Sequence, residues 1–393
     1  MKNNSLKNNI RILFIDNFLS ILLITFFCSE AYGKTVAFSN ETTILQSSIK
    51  LVVLIYLVID VLINYKKKNY LITVTLLSLF FIIGQYIIPN SYSSESIILF
   101  SKYLFPLFLF LYFNCHTLNK KSVNYLFKVF ELIIILNSLL VILGVLFDIS
   151  IFETYQFARF GYNGLLRTSS TSTYFYIISL FYFLYTYREH FFSKWKSIFV
   201  FIVCLFVGTK SIYLGLGAII LAFLFLKIRA KKQRYILGIL LILVFSVIGY
   251  LLFFEFGKFN QIRESNGIIS SILSYRDQLF LNKTLPNISE NWGPVNYLLG
   301  GFNDISSRSQ LDFIDILHFW GIIGGIFYLI TYYKLYVTFY INKIALFCIV
   351  FLIFIIFFAG NFFTYSTIPI YLLIIREVFL KSKTNANNEH SNK

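Results

Sequence analysis

The stretch that decides the fold is Gln310-Leu-Asp-Phe-Ile-Asp-Ile-Leu-His-Phe-Trp-Gly-Ile-Ile-Gly324. It ends a long polar interruption that begins at Glu255, in a chain that otherwise consists of hydrophobic segments and short connections. Asp312 and Asp315 stand where the chain becomes apolar again. A carboxylate pair at the mouth of a membrane helix is costly, so these two residues need a structural or a functional reason.

The composition predicts a membrane protein. Of 393 residues, 58% are hydrophobic and only 13% are charged, whereas a soluble chain carries about 25% charged residues. Repeated apolar runs of about 16 to 24 residues are typical of transmembrane helices. We therefore predict an all-α, polytopic membrane helical bundle.

The apolar runs predict about twelve transmembrane helices. They lie at about 11–28, 49–64, 70–88, 97–115, 124–147, 171–187, 197–208, 211–226, 235–254, 313–333, 344–359 and 367–380. The chain is thereby divided into a bundle of about nine helices (1–254), a large loop (255–311), about three helices (312–380) and a tail (381–393). The polar composition of the tail predicts disorder.

The net charge of +16 is spread over short basic clusters between the apolar runs. This pattern is typical of loops on the inner side of a membrane, so nucleic acid is excluded as a partner. With the N-terminus inside, basic clusters such as Lys66–Lys68 and Lys120–Lys121 fall on alternate loops, and both termini are cytoplasmic. The 255–311 loop is then extracytoplasmic. The four cysteines lie in or beside apolar runs, so neither a disulfide framework nor a thiolate metal site is predicted.

Cations on the outer side are candidates for substrate binding, because several converging arginines suit a pyrophosphate. They are Arg159, Arg167, Lys210, Arg263, Arg276 and Arg308. Arg167 and Lys210 are the strongest candidates, since both lie at the mouths of apolar spans, where an unpaired cation is expensive. The alternative interpretation is that these cations solvate loops or pair with nearby acidic residues.

The spacing of Asp312 and Asp315 places both on one helix face, where one can act as general base and the other as orienting group. Alternatively, they complement a helix dipole or form a salt bridge with Arg308. His318, on the same face, could form a relay with Asp315 or a structural hydrogen bond. Trp292 could stack on a sugar ring or serve in packing.

Several of these segments also form motifs. They are Arg159-Phe-Gly161, Gly208-Thr-Lys-Ser-Ile-Tyr-Leu-Gly215, Leu273-Ser-Tyr-Arg276, Trp292, Leu298-Leu-Gly-Gly301 and Asp312-Phe-Ile-Asp315 followed by Gly321-Ile-Ile-Gly324. With the twelve-helix layout, they resemble the Wzy-type O-antigen and capsule polymerases of the O-antigen ligase/polymerase superfamily. Two departures are Lys210, near where an arginine usually stands, and Gln310, where many relatives have an acid.

The resemblance implies a glycosyltransferase of the bacterial inner membrane that needs neither metal nor cofactor. Its donor would be a glycan on undecaprenyl pyrophosphate, its acceptor a repeat unit on the same lipid, and a chain-length regulator a further partner. Asp315 or Asp312 would be the base. The residues that would bind pyrophosphate and glycan are Arg159, Arg167, Lys210, Arg276, Arg308 and Trp292.

Three other functions are weighed against the polymerase. An O-antigen ligase typically carries a histidine just before the re-entry helix, where this chain has Gln310 and Leu311. A transporter or flippase predicts internal pseudo-symmetry and polar residues near the membrane midplane, whereas here the polar residues collect in one outer loop. A non-enzymatic partner in polysaccharide export predicts that Arg167, Arg276 and Asp315 can be replaced without loss of product.

Overall fold

A computed structural model describes residues 2–64, 68–88, 93–155, 159–228, 230–255 and 257–391. Within these ranges the chain is all-helical, with 82% helix and no strand, which confirms the predicted all-α class. Lys66, Lys67 and Arg229 of the predicted inner basic clusters, and the last two residues of the predicted tail, lie outside the described residues.

The described residues form sixteen α-helices joined by turns and by short 3₁₀ and π segments. They are α1 (Lys2–Phe38), α2 (Leu45–Asn64), α3 (Lys68–Ile87), α4 (Ser94–Cys115), α5 (Lys120–Phe147), α6 (Ser169–Tyr187), α7 (Trp195–Cys204), α8 (Lys210–Lys227), α9 (Lys231–Tyr250), α10 (Gly257–Leu273), α11 (Arg276–Leu279), α12 (Leu285–Asn291), α13 (Pro294–Leu299), α14 (Asp312–Tyr336), α15 (Lys343–Ala359) and α16 (Thr367–Ser391).

Seven helices in the described part of the chain are long and apolar enough to cross a membrane: α1, α2, α3, α4, α5, α8 and α14. Each of the twelve predicted apolar runs coincides with a helix, namely α1 to α9 and α14 to α16. Five of these twelve helices are not among the seven: α6, α7, α9, α15 and α16. Of these, α7 and α15 are shorter apolar helices. Ser, Thr and Tyr residues lower the hydropathy of α6. The helices are thus compatible with a membrane-embedded protein, while the seven spans found are fewer than the twelve predicted.

Local sequence signals explain where several helices begin. The side chains of Asn119, Thr168 and Asn342 accept hydrogen bonds from the third following backbone N–H and so cap α5, α6 and α15. The core lies around α4, α6 and α16, whose aromatic side chains pack edge to face. The rings of Phe175 and Tyr371, for example, lie 5.3 Å apart at 65°.

The segments predicted to lie outside meet at one end of the bundle, which we call the loop end because it contains residues 255–311. The amide of Gln85, at the end of α3, donates to the carbonyl oxygen of Phe302 over 2.7 Å. The carboxylate of Glu95, at the start of α4, accepts from the backbone N–H of Ile305 over 2.9 Å.

The segments predicted to lie inside meet at the opposite end, which we call the basic end. Lys196, at the start of α7, forms an ion pair of 2.5 Å with Glu131 of α5. Arg376 of α16 donates to Asn114, at the end of α4, over 2.9 Å. Each of these contacts joins segments for which the charge pattern predicts the same side of the membrane.

The long loop and the tail both contain helix. The 255–311 segment holds α10 to α13, and α16 continues to Ser391 through the segment for which we predicted disorder. Within α14 the helix is broken at Gly321, where φ is 68° and ψ is −174°. A Cβ atom added to Gly300 would lie 2.5 Å from the nitrogen of Gly321, so the 298–301 turn packs closely against this break.

Candidate functional site

Three of the predicted cations line one cavity of about 760 Å³ near the loop end. Lys210 is the first residue of α8, Arg276 is the first residue of α11, and Arg159 lies in the segment between α5 and α6. Residues of α6, α7, α9 and α15 complete the walls. The three cations are far apart in the sequence, so the cavity exists only in the folded chain.

Backbone packing between two segments brings Arg159 beside the start of α8. The N–H of Tyr162 donates to the carbonyl oxygen of Phe206 over 2.8 Å. Gly208 has a φ of +74°, and a Cβ atom there would lie only 2.7 Å from the Cα of Gly161. Glycine is therefore required at position 208 for its backbone conformation and for this close approach.

Lys210 is held by oxygen atoms and by aromatic rings. Its ammonium group donates to the carbonyl oxygens of Ser271 and of Ile272, the latter over 2.9 Å. It also lies 4.2 Å from the ring centroid of Phe259, a distance typical of a cation–π contact. These contacts position the amino group without bringing a carboxylate beside it.

The two arginines are held in the same manner. The guanidinium of Arg159 lies 3.5 Å from the ring centroid of Tyr155. Arg276 donates to the carbonyl oxygens of Phe358 and of Ala359, the latter over 2.7 Å. Its Nε is buried and has no hydrogen-bond partner among the described residues. Burial lowers the pKa of the Arg276 guanidinium from its ordinary value.

The ion pairs in the described part of the chain involve other cations. No described carboxylate therefore lies within 4 Å of Arg159, Lys210 or Arg276. Three basic side chains in one cavity, with no described carboxylate in direct contact, make that cavity attractive for an anionic ligand.

The other walls of the cavity divide by chemistry. Hydroxyl groups come from Ser169, Ser170, Thr173, Thr209 and Ser211. Apolar side chains come from Phe201, Leu205, Leu214, Leu216, Ile220, Val244, Phe354 and Phe358. The start of α8 also lines the cavity, and a helix N-terminus favours anions. The cavity thus suits a ligand with an anionic head, polar groups and an apolar chain.

Asp315 is fully engaged by neighbouring groups. Its Oδ2 accepts hydrogen bonds from Arg308 at 2.8 and 3.1 Å. Its Oδ1 accepts two hydrogen bonds from Ser309, one of 2.9 Å from the backbone N–H and one of 2.8 Å from the hydroxyl. The side chain of Asp315 is only 1% exposed, and that of Arg308 is 11% exposed. The salt bridge considered as an alternative for Asp315 is therefore present.

Asp312 is buried beside it but is less engaged. Its Oδ2 accepts one hydrogen bond of 2.8 Å from the backbone N–H of Phe362. Its Oδ1 accepts none from the described residues. The turn that carries Phe362 begins at Ala359, whose carbonyl oxygen contacts Arg276. This turn links Asp312 to the rim of the cavity.

Two further predicted cations lie outside the cavity. The Nη1 of Arg167 donates to Gln46 over 2.9 Å, and its backbone N–H donates to Glu30 over 3.2 Å. Arg263 forms an ion pair of 3.4 Å with the exposed Glu264. The structure therefore divides the outer cations into separate groups.

Trp292 and His318 pack against each other. The indole N–H of Trp292 donates to the carbonyl oxygen of Gly301 over 3.2 Å, and its ring lies 5.7 Å from that of His318. His318 shares a hydrogen bond of 3.2 Å with Asn287. Trp292 therefore makes the packing contact, and His318 the structural hydrogen bond, that were the alternatives to a role in the site.

Sequence reasoning missed the aromatic rings under the cations, Tyr155 and Phe259, because nothing local distinguishes them from packing residues. It also missed the hydroxyl-rich start of α6, Ser169-Ser-Thr-Ser-Thr173. That run was visible as a polar mouth on an apolar helix, which is the signal that could have identified it.

No family model, curated protein or solved structure matches this chain. The resemblance to Wzy-type polymerases stays a prediction. What the protein does must be inferred from the geometry and chemistry of the site, since a fold alone does not fix a function.

Proposed function

We propose that the protein is a membrane glycosyltransferase that polymerises oligosaccharide repeat units carried on undecaprenyl pyrophosphate. One observation supports this proposal above the others. Arg159, Lys210 and Arg276 share a cavity with apolar walls and have no carboxylate within ion-pair distance in the described ranges. A diphosphate on a long apolar chain fits both properties.

The cations would act on the leaving group. When the glycan leaves its carrier, negative charge develops on the diphosphate oxygen that was bonded to the sugar. Arg276 can bind diphosphate oxygens through two N–H groups, and Lys210 acts as a point charge. Fixed positive groups in a site of low polarity stabilise such developing charge without a metal ion or ATP.

The acceptor hydroxyl would need a base. Its oxygen forms a bond to the anomeric carbon of the donor glycan, the bond from that carbon to the diphosphate breaks, and the hydroxyl proton moves to a carboxylate. Asp312 suits this role better than Asp315, because one of its oxygens accepts no hydrogen bond from the described residues. The carboxylate of Asp315, in contrast, accepts four hydrogen bonds.

The placement in the membrane is part of the proposal. The coincidence of twelve apolar runs with helices, and the sorting of helix ends between the loop end and the basic end, support twelve crossings. Both termini would be cytoplasmic, and the cavity would face the periplasm of a bacterial inner membrane. The polymerase would then work with a chain-length regulator protein.

Deleting the gene and analysing the surface polysaccharide on a gel tests this function. A polymerase deletion is expected to leave one repeat unit on the core, whereas deletion of an O-antigen ligase would leave none. An unchanged ladder of chain lengths would contradict both. Complementation with Arg276→Gln should fail to restore the ladder, while Lys334→Gln, at the basic end, should restore it.

A further inference from the structure

Two helix starts supply hydroxyl groups to the cavity that the proposed chemistry does not use. Ser170 and Thr173 lie in the first two turns of α6, and Thr209 and Ser211 lie at the start of α8. We call these four residues the hydroxyl wall. Their relative exposures are only 2–7%. A buried hydroxyl group is costly unless it has a hydrogen-bond partner, so the partners of these four groups indicate what the wall binds.

The two threonines of the hydroxyl wall are partners of each other. The hydroxyl of Thr173 donates to the carbonyl oxygen of Ser169 over 2.8 Å. Because a hydroxyl group has one proton, Thr209 is the donor in the bond of 3.0 Å between Thr209 and Thr173. This bond joins the starts of α6 and α8 at the cavity. It also holds the Thr209 side chain away from its own helix, so α8 begins without a side-chain cap.

The two serines of the hydroxyl wall have no such partner. Neither the hydroxyl of Ser170 nor that of Ser211 forms a hydrogen bond with a residue that the structure describes. Each is the second residue of its helix, where the helix offers no earlier carbonyl oxygen to a serine hydroxyl. Thr173, one turn later in α6, does have such an oxygen. Two buried hydroxyl groups without a protein partner therefore line the cavity.

The hydroxyl wall adjoins both the cations and the turn beside Asp312. At one edge, Lys210 lies between the two wall residues of α8. At the other edge, the hydroxyl of Tyr174 on α6 donates to the carbonyl oxygen of Gly360 over 3.3 Å. Gly360 belongs to the turn that contacts Arg276 and Asp312. A donor sugar would have to lie in this region, since it is bonded to the diphosphate and is attacked by the hydroxyl that the base deprotonates.

We infer that Ser170 and Ser211 bind the sugar that is bonded to the diphosphate. A serine hydroxyl can both donate and accept hydrogen bonds, so the pair suits the uncharged hydroxyl groups of a sugar. The Thr173–Thr209 bond holds the two helix starts together and so positions the serines. This inference rests on the proposed function, because it takes the ligand to be a sugar on a diphosphate lipid.

A competition between two lipids tests this inference on the full chain in phosphatidylcholine nanodiscs. The nanodiscs contain equal amounts of undecaprenyl pyrophosphate and of the lipid-linked repeat unit extracted from the gene-deletion strain. Native mass spectrometry distinguishes the two by mass, and the ratio retained measures the preference for the sugar. The double variant Ser170→Ala/Ser211→Ala should lower this preference about tenfold, the effect of two hydrogen bonds between neutral groups. It should bind undecaprenyl pyrophosphate as the wild type does.

The matched control is Ser172→Ala/Ser179→Ala. It removes two buried hydroxyl groups of α6 that bond to their own helix and do not line the cavity, so the wild-type preference should remain. Each single variant, Ser170→Ala or Ser211→Ala, should lower the preference about threefold, so the test does not depend on the double variant alone.

The outcomes separate the inference from the function on which it rests. If both single variants and the double variant keep the wild-type ratio, the serines do not bind the sugar, and the proposed function still stands. If these variants lose both lipids equally, the serines bind the diphosphate and the inference is wrong. If the wild type retains neither lipid, the proposed function is wrong and the inference falls with it.

Discussion

Arg276 and Arg308 are two half-buried arginines at the loop end with opposite surroundings. Arg276 donates to two carbonyl oxygens, and none of the described carboxylates lies within ion-pair distance of it. Arg308 donates twice to Asp315, a carboxylate that is itself fully hydrogen-bonded. Carbonyl oxygens orient a guanidinium and leave its charge available, whereas a carboxylate neutralises it.

This difference indicates a binding role for Arg276 and a structural role for Arg308. The cavity around Arg276 keeps its positive charge for a ligand, and the Arg308–Asp315 pair fixes the loop to the start of α14. Replacing Arg276 should therefore affect activity more than stability. Replacing Asp315 should affect stability first.

The largest effect is expected from Asp315→Asn. It removes the ion-pair partner of the half-buried Arg308, which should lower the free energy of unfolding by about 3–5 kcal/mol. Thermal unfolding in detergent measures this change. The double variant Arg308→Leu/Asp315→Leu, which removes both charges, should recover most of the loss. If Asp315→Asn is as stable as the wild type, the structural role of the pair is wrong.

Arg276→Gln should lower polymerase activity by about 10²–10³-fold, because one group that stabilises the leaving diphosphate is lost. Its free energy of unfolding should fall by about 1.5–3 kcal/mol, the contribution of hydrogen bonds from a charged group. Chain lengths on a gel and a melting curve measure the two quantities. If the variant lost much stability but still made polysaccharide of normal length, Arg276 would have a structural role and not a binding role.

Asp312→Asn should lower activity by about a hundredfold, the lower range for loss of a general base. The asparagine oxygen can still accept from the N–H of Phe362, so the melting temperature should change little. This variant separates the two neighbouring carboxylates, since Asp315→Asn is expected to unfold readily. Activity of Asp312→Asn equal to that of the wild type would remove Asp312 as the base.

The smallest effect is expected from Trp292→Phe. The change removes the hydrogen bond to Gly301 and should cost about 1 kcal/mol of stability, while chain length should stay as in the wild type. A shortened ladder with normal stability would instead restore the prediction that Trp292 binds glycan.

Hydrophobicity located the helices well because each apolar run is a local property of the chain. The Asp312 end of α14 could also be predicted, since it follows from a short segment. The break at Gly321 could not, because Gly-Ile-Ile-Gly has the apolar character of a continuous helix.

The grouping of the outer cations could not be read from sequence either. Arg159, Lys210 and Arg276 converge through helix packing, while Arg167 lies with Glu30 and Arg308 lies with Asp315. These partners are set by contacts between distant parts of the chain.

The break at Gly321 also changes how much of a bilayer α14 can cross as one helix. The straight part of α14, from Ile322 to Tyr336, is about 22 Å long at 1.5 Å per residue, shorter than the ~30 Å hydrocarbon thickness of a bilayer. In a membrane, the 298–301 turn packed at the break would lie below the lipid headgroups, shielded by protein. The shortened helix and the turn would then cross the bilayer together, with the irregular backbone of the break kept away from lipid.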